Sequence, residues 1–233
     1  MPDKVPLLFL PGLLCDAALW QNQINALKNM ADCHVADLTQ HDRMAALAQA
    51  VLAKAPPRFA LAALSMGGYV AFEILRQAPE RVLKLCLLDT SARPDTEEQK
   101  KRRRMLMSMA KKGEFKGVTP RLLPTLIHAD RLEDKALTDV IMDMAARVGR
   151  EAFLRQQDAI IHRIDSRPFL KDISCPTQVI GGRQDALTPP EIVQEIADGI
   201  PGAKLNFIEN CGHLSALERP EEIVELMKRW LKA

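Results

Sequence analysis

Short apolar runs alternate with amphipathic stretches along most of this chain. Three of the runs, Val5–Leu10, Phe59–Leu64 and Val82–Leu88, end at Pro, Ser or Asp. The segments between them, such as 42–55, place apolar side chains at helical spacing and stop at proline. Strands that are apolar along most of their length are typical of a parallel sheet with helices on both faces. The sequence therefore predicts an α/β fold with a mainly parallel sheet.

Three further runs bring the expected sheet to about six strands: 33–38, 177–182 and 204–208. The alternation stops in the middle of the chain, where four stretches have helical spacing with no strand between them: 96–112, 120–129, 133–148 and 151–163. A helical block inserted between two halves of such a sheet is best interpreted as a cap over the strand ends. We therefore predict a core formed by residues 1–90 and 172–233, with a helical cap insertion at 91–171.

Ser65 stands at the most informative of the strand ends. It follows the apolar run Phe59–Leu64, and Met66-Gly67-Gly68 then opens a helical pattern. A strand, sharp turn and helix of this kind strain the backbone of the central residue, and the residues two before and two after must be very small. Ala63 and Gly67 meet that condition. The pattern predicts a nucleophile elbow, with the Ser65 hydroxyl beside the positive end of the helix.

An acid and a base follow two other predicted strands. Asp185 comes after 177–182 and His213 after 204–208, and the carboxyl ends of parallel strands share one edge of the sheet. Serine is a poor nucleophile at neutral pH, so His213 would take its proton and Asp185 would orient the imidazole. Asp89 also ends a strand and could orient the histidine instead, although we favour a turn or helix-cap role for it.

Attack on a carbonyl also requires hydrogen-bond donors for the oxyanion that forms. The backbone N–H of Met66 is one candidate, because this residue follows the nucleophile at the start of a helix. We expect the second donor in the loop after the first strand, where Leu13 is the better choice. Gly12 in that loop lets the backbone approach closely.

The sequence resembles the α/β-hydrolase superfamily, in particular its short esterase-like members with a helical cap. The motifs that carry the resemblance are L-P-G-L at 10–13, A-L-S-M-G-G at 63–68, C-P-T-Q-V-I-G-G-R-Q-D at 175–185 and C-G-H at 211–213. The order Ser65, Asp185, His213 is the order that this superfamily uses. Two positions depart from its pattern: Pro11 stands where histidine is common, and Ala63 stands where the strict G-x-S-x-G motif has glycine.

These residues predict a serine hydrolase that cleaves a small carboxylic ester (EC 3.1.1 type) through an acyl-enzyme on Ser65, with His213 as base and Asp185 as orienting acid. Such chemistry needs no cofactor and no metal. Cleavage of a thioester, lactone, amide or C–C bond by the same residues stays open, because a fold does not set the substrate. From a different class, a non-catalytic ligand-binding member of the fold is the alternative, although such proteins usually lose a triad residue.

Composition argues against several other classes. The 233 residues carry a net charge of +2, too small to predict a nucleic-acid or membrane partner, and the basic run 100–104 is best interpreted as a solvated helix face. No stretch approaches the roughly 20 apolar residues of a membrane helix, and residues 1–5 carry no secretory signal. Five scattered cysteines without a C-x-x-C pair argue against a zinc or redox motif. We expect a cytoplasmic protein with reduced thiols.

Overall fold

Six parallel strands form one sheet in the structure, a computed structural model that describes residues 4–233. The strands are β1 Val5–Leu10, β2 Ala31–Val35, β3 Phe59–Leu64, β4 Val82–Leu88, β5 Thr177–Gly182 and β6 Lys204–Ile208. Their order is β2-β1-β3-β4-β5-β6, and each neighbouring pair is parallel. The predicted α/β fold is confirmed. The first three residues, part of the stretch for which the sequence predicts no signal, lie outside the described residues.

The α-helices within residues 4–233 are α1 Gln21–Leu27, α2 Met44–Lys54, α3 Met66–Gln77, α4 Glu97–Met109, α5 Lys135–Ile161, α6 Pro190–Gly199, α7 Ser215–Glu218 and α8 Pro220–Lys232. Helix α5 bends at Gly149, whose φ of 76° interrupts the helical backbone. Short 3-10 helices add Ala17–Trp20, Pro79–Arg81, Leu123–Thr125, Ala129–Arg131 and Arg167–Asp172. Over the same residues, no helix is both long and apolar enough to cross a membrane.

Helices cover the sheet on both faces because the central strands are apolar throughout. All six residues of β3 are buried. Side chains alternate along a strand, so Phe59 and Leu61 pack in one cluster with residues of α2, α3 and α6. Ala60 and Leu64 point the other way and pack with residues of α1, α5 and α8. A strand that is buried on both faces forms a continuous apolar run in the sequence, and β3 could be predicted for this reason.

The strand order creates a crevice at the carboxyl ends of β1 and β3. These strands are neighbours, while β2 lies on the outer side of β1. The chain therefore leaves β1 towards one edge of the sheet and returns past it to β3, which is a topological switch point. The loop 11–14 follows β1, and Ser65 directly follows β3. Ligands of α/β sheets bind in such crevices.

The described residues between β4 and β5 form α4, α5, a π-helical turn at Ala110–Glu114 and 3-10 turns, with no strand among them. A buried carboxylate attaches this segment to the loop after β4. The side chain of Asp95 is inaccessible to solvent; its Oδ2 lies 2.5 Å from Nε of Arg103 and its Oδ1 lies 2.6 Å from a terminal nitrogen of Arg163. Because Arg103 belongs to α4 and Arg163 follows α5, one acidic side chain fixes both helices.

Candidate active site

Ser65 occupies the strained turn that the sequence predicts between β3 and α3. Its φ of 54° and ψ of −115° are a combination that residues with side chains rarely adopt, and it persists only where neighbours hold it. The Ser65 N–H donates to the Leu88 carbonyl at 3.0 Å, and the Thr90 hydroxyl donates to the Ser65 carbonyl at 2.7 Å. Both peptide groups of Ser65 are thereby tied to the end of β4, so the backbone cannot relax without breaking these bonds.

The two glycines after Ser65 are required by close packing. A Cβ added to Gly67 would lie 2.3 Å from the Leu10 carbonyl oxygen, and one added to Gly68 would lie 2.3 Å from Oγ1 of Thr90. Helix α3 therefore begins in direct contact with the backbone at the end of β1. This contact brings the elbow and the loop after β1 together.

His213 and Asp185 lie beside Ser65, in the loops after β6 and β5. Nε2 of His213 is 2.8 Å from Oγ of Ser65, and Nδ1 of His213 is 2.7 Å from Oδ2 of Asp185. Asp185 is itself held: its Oδ1 accepts the N–H groups of Leu187 at 2.7 Å and Thr188 at 3.0 Å, and its Oδ2 accepts the Thr188 hydroxyl. The three side chains form an unbroken chain of hydrogen bonds from a carboxylate to a hydroxyl.

Asp89 lies near this chain but makes no hydrogen bond to His213. Its Oδ1 accepts the N–H of Gly182 at 2.9 Å, and its Oδ2 accepts the N–H of Ser215 at 3.2 Å. It therefore connects the end of β5 to the segment just after His213. The geometry gives the place beside the imidazole to Asp185, while Asp89 braces the two loops that present the acid and the base. The sequence favours a turn or helix-cap role for Asp89; its φ is 45°, and its Oδ2 accepts the N–H of Ser215, the first residue of α7.

Burial and charge set the protonation of this cluster. Burial and the nearby Asp185 carboxylate raise the pKa of Asp89 to about 8. Burial also acts on Asp185, but the charge and hydrogen bond of His213 outweigh it and hold the pKa of Asp185 below its usual 3.8. For His213, burial lowers the pKa and Asp185 raises it, with a net pKa above the usual 6.5. Since two close carboxylates do not both ionise easily, the negative charge beside His213 resides on Asp185.

Glu218, at the end of α7, is a buried acid that the sequence analysis missed. Its side chain accepts the N–H groups of Gly212 at 3.0 Å, Leu214 at 3.2 Å and His128 at 2.7 Å. Burial raises the pKa of this carboxyl despite those three donors. The first two N–H groups flank His213, so Glu218 holds the histidine loop from both sides. Short turns and isolated buried acids leave no periodic pattern, and only its position five residues after the histidine could have suggested it.

The predicted oxyanion donors lie on the two loops that meet at Ser65. Met66 is the first residue of α3, so its N–H has no partner within the helix. In the part of the chain that the structure describes, Leu13 N–H donates to no protein acceptor. A Cβ on the preceding residue, Gly12, would lie 3.5 Å from Cβ of Ser65, so this loop is in contact with the serine. Both N–H groups thus lack a protein acceptor among the described residues, and both belong to segments that adjoin Ser65.

Other reactive groups near the site are poorly suited to chemistry. Burial raises the pKa of the Cys15 thiol to about 12 and raises that of Cys211 as well, so both stay protonated and weakly nucleophilic at neutral pH. Within residues 4–233, no group of three or more His, Cys, Asp or Glu side chains is arranged to hold a metal ion. The hydroxyl of Ser65, by contrast, has an imidazole nitrogen 2.8 Å away that could accept its proton.

A family model and a similar protein both match most of this chain. A model of the alpha/beta hydrolase family matches residues 7–226. A similar protein is the pimeloyl-(acyl-carrier protein) methyl ester esterase of Nitrosomonas europaea. The two are 25% identical over an alignment 241 residues long, which covers 96% of this chain and 93% of that protein.

Solved structures of an esterase and of an enol-lactonase have similar folds. A thermophilic esterase from Thermogutta terrifontis, solved with malate bound, superposes with a TM-score of 0.89 at 28% identity and covers 98% of this chain and 89% of its own. The enol-lactonase from Burkholderia xenovorans LB400 superposes with a TM-score of 0.88 at 23% identity, covering 99% of this chain and 93% of its own. At that lower identity the second likeness concerns the fold alone.

Proposed function

The chain belongs to the alpha/beta hydrolase family, and on that premise we propose that it hydrolyses a small carboxylic ester through an acyl-enzyme on Ser65. The observation that carries this proposal is the hydrogen-bonded series from Asp185 through His213 to Ser65, with distances of 2.7 Å and 2.8 Å. A carboxylate, an imidazole and a hydroxyl in this order are what acyl transfer by serine requires.

Acylation follows from these contacts. The Ser65 oxygen attacks the ester carbonyl carbon while Nε2 of His213 takes the hydroxyl proton. The negative charge that develops on the carbonyl oxygen is met by the N–H groups of Leu13 and Met66, each worth roughly 3–4 kcal/mol in such sites. When the tetrahedral intermediate collapses, His213 returns the proton to the departing alcohol, and the acyl group stays on Ser65.

Deacylation uses the same groups in reverse. Water attacks the acyl carbon as His213 takes one of its protons, and collapse releases the carboxylic acid and restores the Ser65 hydroxyl. Asp185 stabilises the imidazolium in both halves and keeps the proton of the neutral ring on Nδ1. Neither half needs a redox change or a group that the protein does not supply.

Two similar proteins are named esterases, and this supports an ester as the substrate. A lactone is a cyclic ester and would pass through the same steps, and thioester or C–C bond cleavage would use the same nucleophile. A non-catalytic member of the fold is the alternative from another class. The intact hydrogen-bonded series argues against it, because a binding protein gains nothing from a base aligned on a strained serine.

We place residues 91–171 as a cap over this site within the proposal. Two contacts support this role: the His213 N–H donates to the Leu126 carbonyl at 2.9 Å, and the Leu14 N–H donates to the Gln156 side chain at 3.1 Å. All five cysteines are free thiols, which suits a reducing, cytoplasmic location.

The proposal is tested by turnover of p-nitrophenyl acetate. Ser65→Ala should lower kcat by about 10⁴-fold or more. Ser108→Ala, at an exposed serine on α4, is the matched control and should match the wild-type enzyme. Binding of an ester without turnover by the intact protein would favour the non-catalytic alternative. A Ser65→Ala enzyme with the wild-type rate would refute the acyl-enzyme mechanism.

A further inference from the structure

The loop that carries Leu13 contains a second strained residue. Leu14 has a φ of 60° and is the third residue of a turn that the Cys15 N–H closes onto the Gly12 carbonyl at 3.1 Å. A turn with positive φ at its third residue alone is of type II, and glycine is strongly favoured there. The type I turn, which suits leucine, differs by a flip of the peptide plane between Leu13 and Leu14. Something outside the turn must therefore select the observed form.

A buried glutamine of α5 makes the contact that selects it. Oε1 of Gln156 accepts the N–H of Leu14 at 3.1 Å, and its Nε2 donates to the carbonyl of Leu38 at 3.1 Å. The Gln156 side chain is 0% exposed, so water cannot replace either bond. A flipped peptide would point the Leu14 N–H away from Gln156 and leave a buried amide oxygen unpaired, which is costly.

The side chain of Leu14 is held from the same direction. It packs in a small buried cluster with Ala145 and Phe153, both residues of α5. Helix α5, which lies between β4 and β5 in the chain, thus holds both the backbone and the side chain of one strained residue, and Ala110 of the π-helical turn completes the cluster. A strained conformation persists only where several surrounding contacts hold it. For Leu14 the contacts with α5 come from residues more than a hundred positions away in the sequence.

We propose that Gln156 is a positioning residue for the oxyanion loop: by holding Leu14 in the type II turn it fixes the backbone position of the adjacent Leu13, whose N–H is the proposed donor to the carbonyl oxygen bound at Ser65. This inference rests on the proposed ester hydrolysis. It also gives α5 a part in the chemical step beyond covering the site: any movement of α5 that carries Gln156 away from Leu14 releases the turn and weakens stabilisation of the oxyanion.

The test replaces Gln156 by Met, which has a similar length and neither a strong donor nor a strong acceptor. Because the loop acts on the transition state, kcat for p-nitrophenyl acetate should fall about 10- to 100-fold with little change in KM. A short-chain trifluoromethyl ketone adds to Ser65 and places an oxyanion at the same position. Its inhibition constant should rise by the same factor as kcat/KM falls, a parallel that a merely structural role would not produce.

Gln157→Met is the matched control. Gln157 is the next residue of α5, is also buried at 2% exposure, and accepts Arg103 at 2.9 Å without touching the loop after β1. It should lose stability yet keep kcat and inhibitor affinity within about twofold of the wild type. Hydrogen exchange at the Leu14 amide should accelerate in Gln156→Met and stay slow in Gln157→Met.

Gln156→Glu keeps an oxygen for the Leu14 N–H and covers the case in which the Met variant does not fold. It should retain more inhibitor affinity than any apolar replacement. Equal losses of kcat in the Gln156 and Gln157 variants, or slow exchange at Leu14 in Gln156→Met, would overturn the inference. Turnover of the ester by Ser65→Ala at the wild-type rate would instead overturn the proposed function.

Discussion

Oγ of Ser65 and Nε2 of His213 lie 2.8 Å apart, although 148 residues separate them in the chain. The gap closes because β3 and β6 end at the same edge of one parallel sheet. Asp185 reaches the other ring nitrogen from the end of β5. The strand order therefore brings the hydroxyl, the imidazole and the carboxylate into line. The contribution of each side chain can be tested by its own substitution.

Replacing Asp185 should affect catalysis far more than replacing Asp89. In Asp185→Asn an amide faces Nδ1 of His213, which favours the wrong ring tautomer, and kcat should fall by about 10⁴-fold. Asp89→Asn removes an acceptor for one backbone N–H and leaves the pair of Asp185 and His213 intact, so its loss should be at least about tenfold smaller. Steady-state kinetics on p-nitrophenyl acetate measure both, with circular dichroism to verify folding. A larger loss in Asp89→Asn would make Asp89 the orienting acid.

The pH dependence should report the raised pKa of His213. The imidazole must be neutral to accept the Ser65 proton, so kcat/KM falls as the pH drops through the pKa of the free enzyme. Since Asp185 raises that pKa above 6.5 against the effect of burial, the acidic limb should have its midpoint above 6.5. In Asp185→Asn the residual activity should show a lower midpoint. A wild-type midpoint well below 6.5 would contradict the role of His213 as the base.

Glu218→Gln should weaken the histidine loop. The amide keeps one oxygen for the N–H groups of Gly212, Leu214 and His128 but loses the charge and the second oxygen. Buried donors without an acceptor cost about 1–3 kcal/mol, which urea denaturation would measure. Because Glu218 is among the groups that raise the pKa of His213, the acidic limb of kcat/KM should also move to lower pH. Glu222→Gln, at an exposed residue of α8, should change neither quantity.

Gly67→Ala should destabilise the fold and disturb the elbow together. The added Cβ would lie 2.3 Å from the Leu10 carbonyl oxygen, so α3 and β1 must separate, at a cost of roughly 1–3 kcal/mol or more. Gly202→Ala is the control: it has open space around it and a φ of 71°, so backbone strain alone should cost about 1 kcal/mol. Urea denaturation compares the two. Equal stabilities of the two variants would count against a tight contact between α3 and β1.

Five of the six strands were predictable from sequence, and one edge strand was displaced by two to three residues. β1, β3, β4, β5 and β6 match their predicted apolar runs end to end. The second strand was predicted at 33–38 and lies at Ala31–Val35. Its side chains alternate between buried and exposed, so no continuous apolar run marks its first residue; the other edge strand, β6, also alternates, yet its predicted bounds match. The helix predicted at 120–129 is wrong: one 3-10 turn, Leu123–Thr125, lies within it and a second, Ala129–Arg131, begins at its last residue. Pro124, within the first turn, has no N–H for a longer helix.

The site residues that could be predicted from the sequence are those in the loops directly after predicted strands. Ser65, Asp185 and His213 each stand in the loop that follows a predicted strand, and the structure brings them into contact. The sequence favoured Asp185 over Asp89 as the orienting acid but left Asp89 open, since β4 and β5 are neighbours and an acid follows each of them. Gln156 and Glu218 could not be predicted from the sequence, because a buried amide or carboxyl that binds backbone groups leaves no periodic pattern.

The most direct measurement of the central claim is the mass of the protein after treatment with a fluorophosphonate, followed by peptide mapping. This reagent transfers its phosphonyl group to an activated serine and releases fluoride. We predict one adduct per chain, located on Ser65 and absent from His213→Ala. An adduct on a different residue, or an unmodified Ser65 in a protein that still hydrolyses the ester, would contradict it.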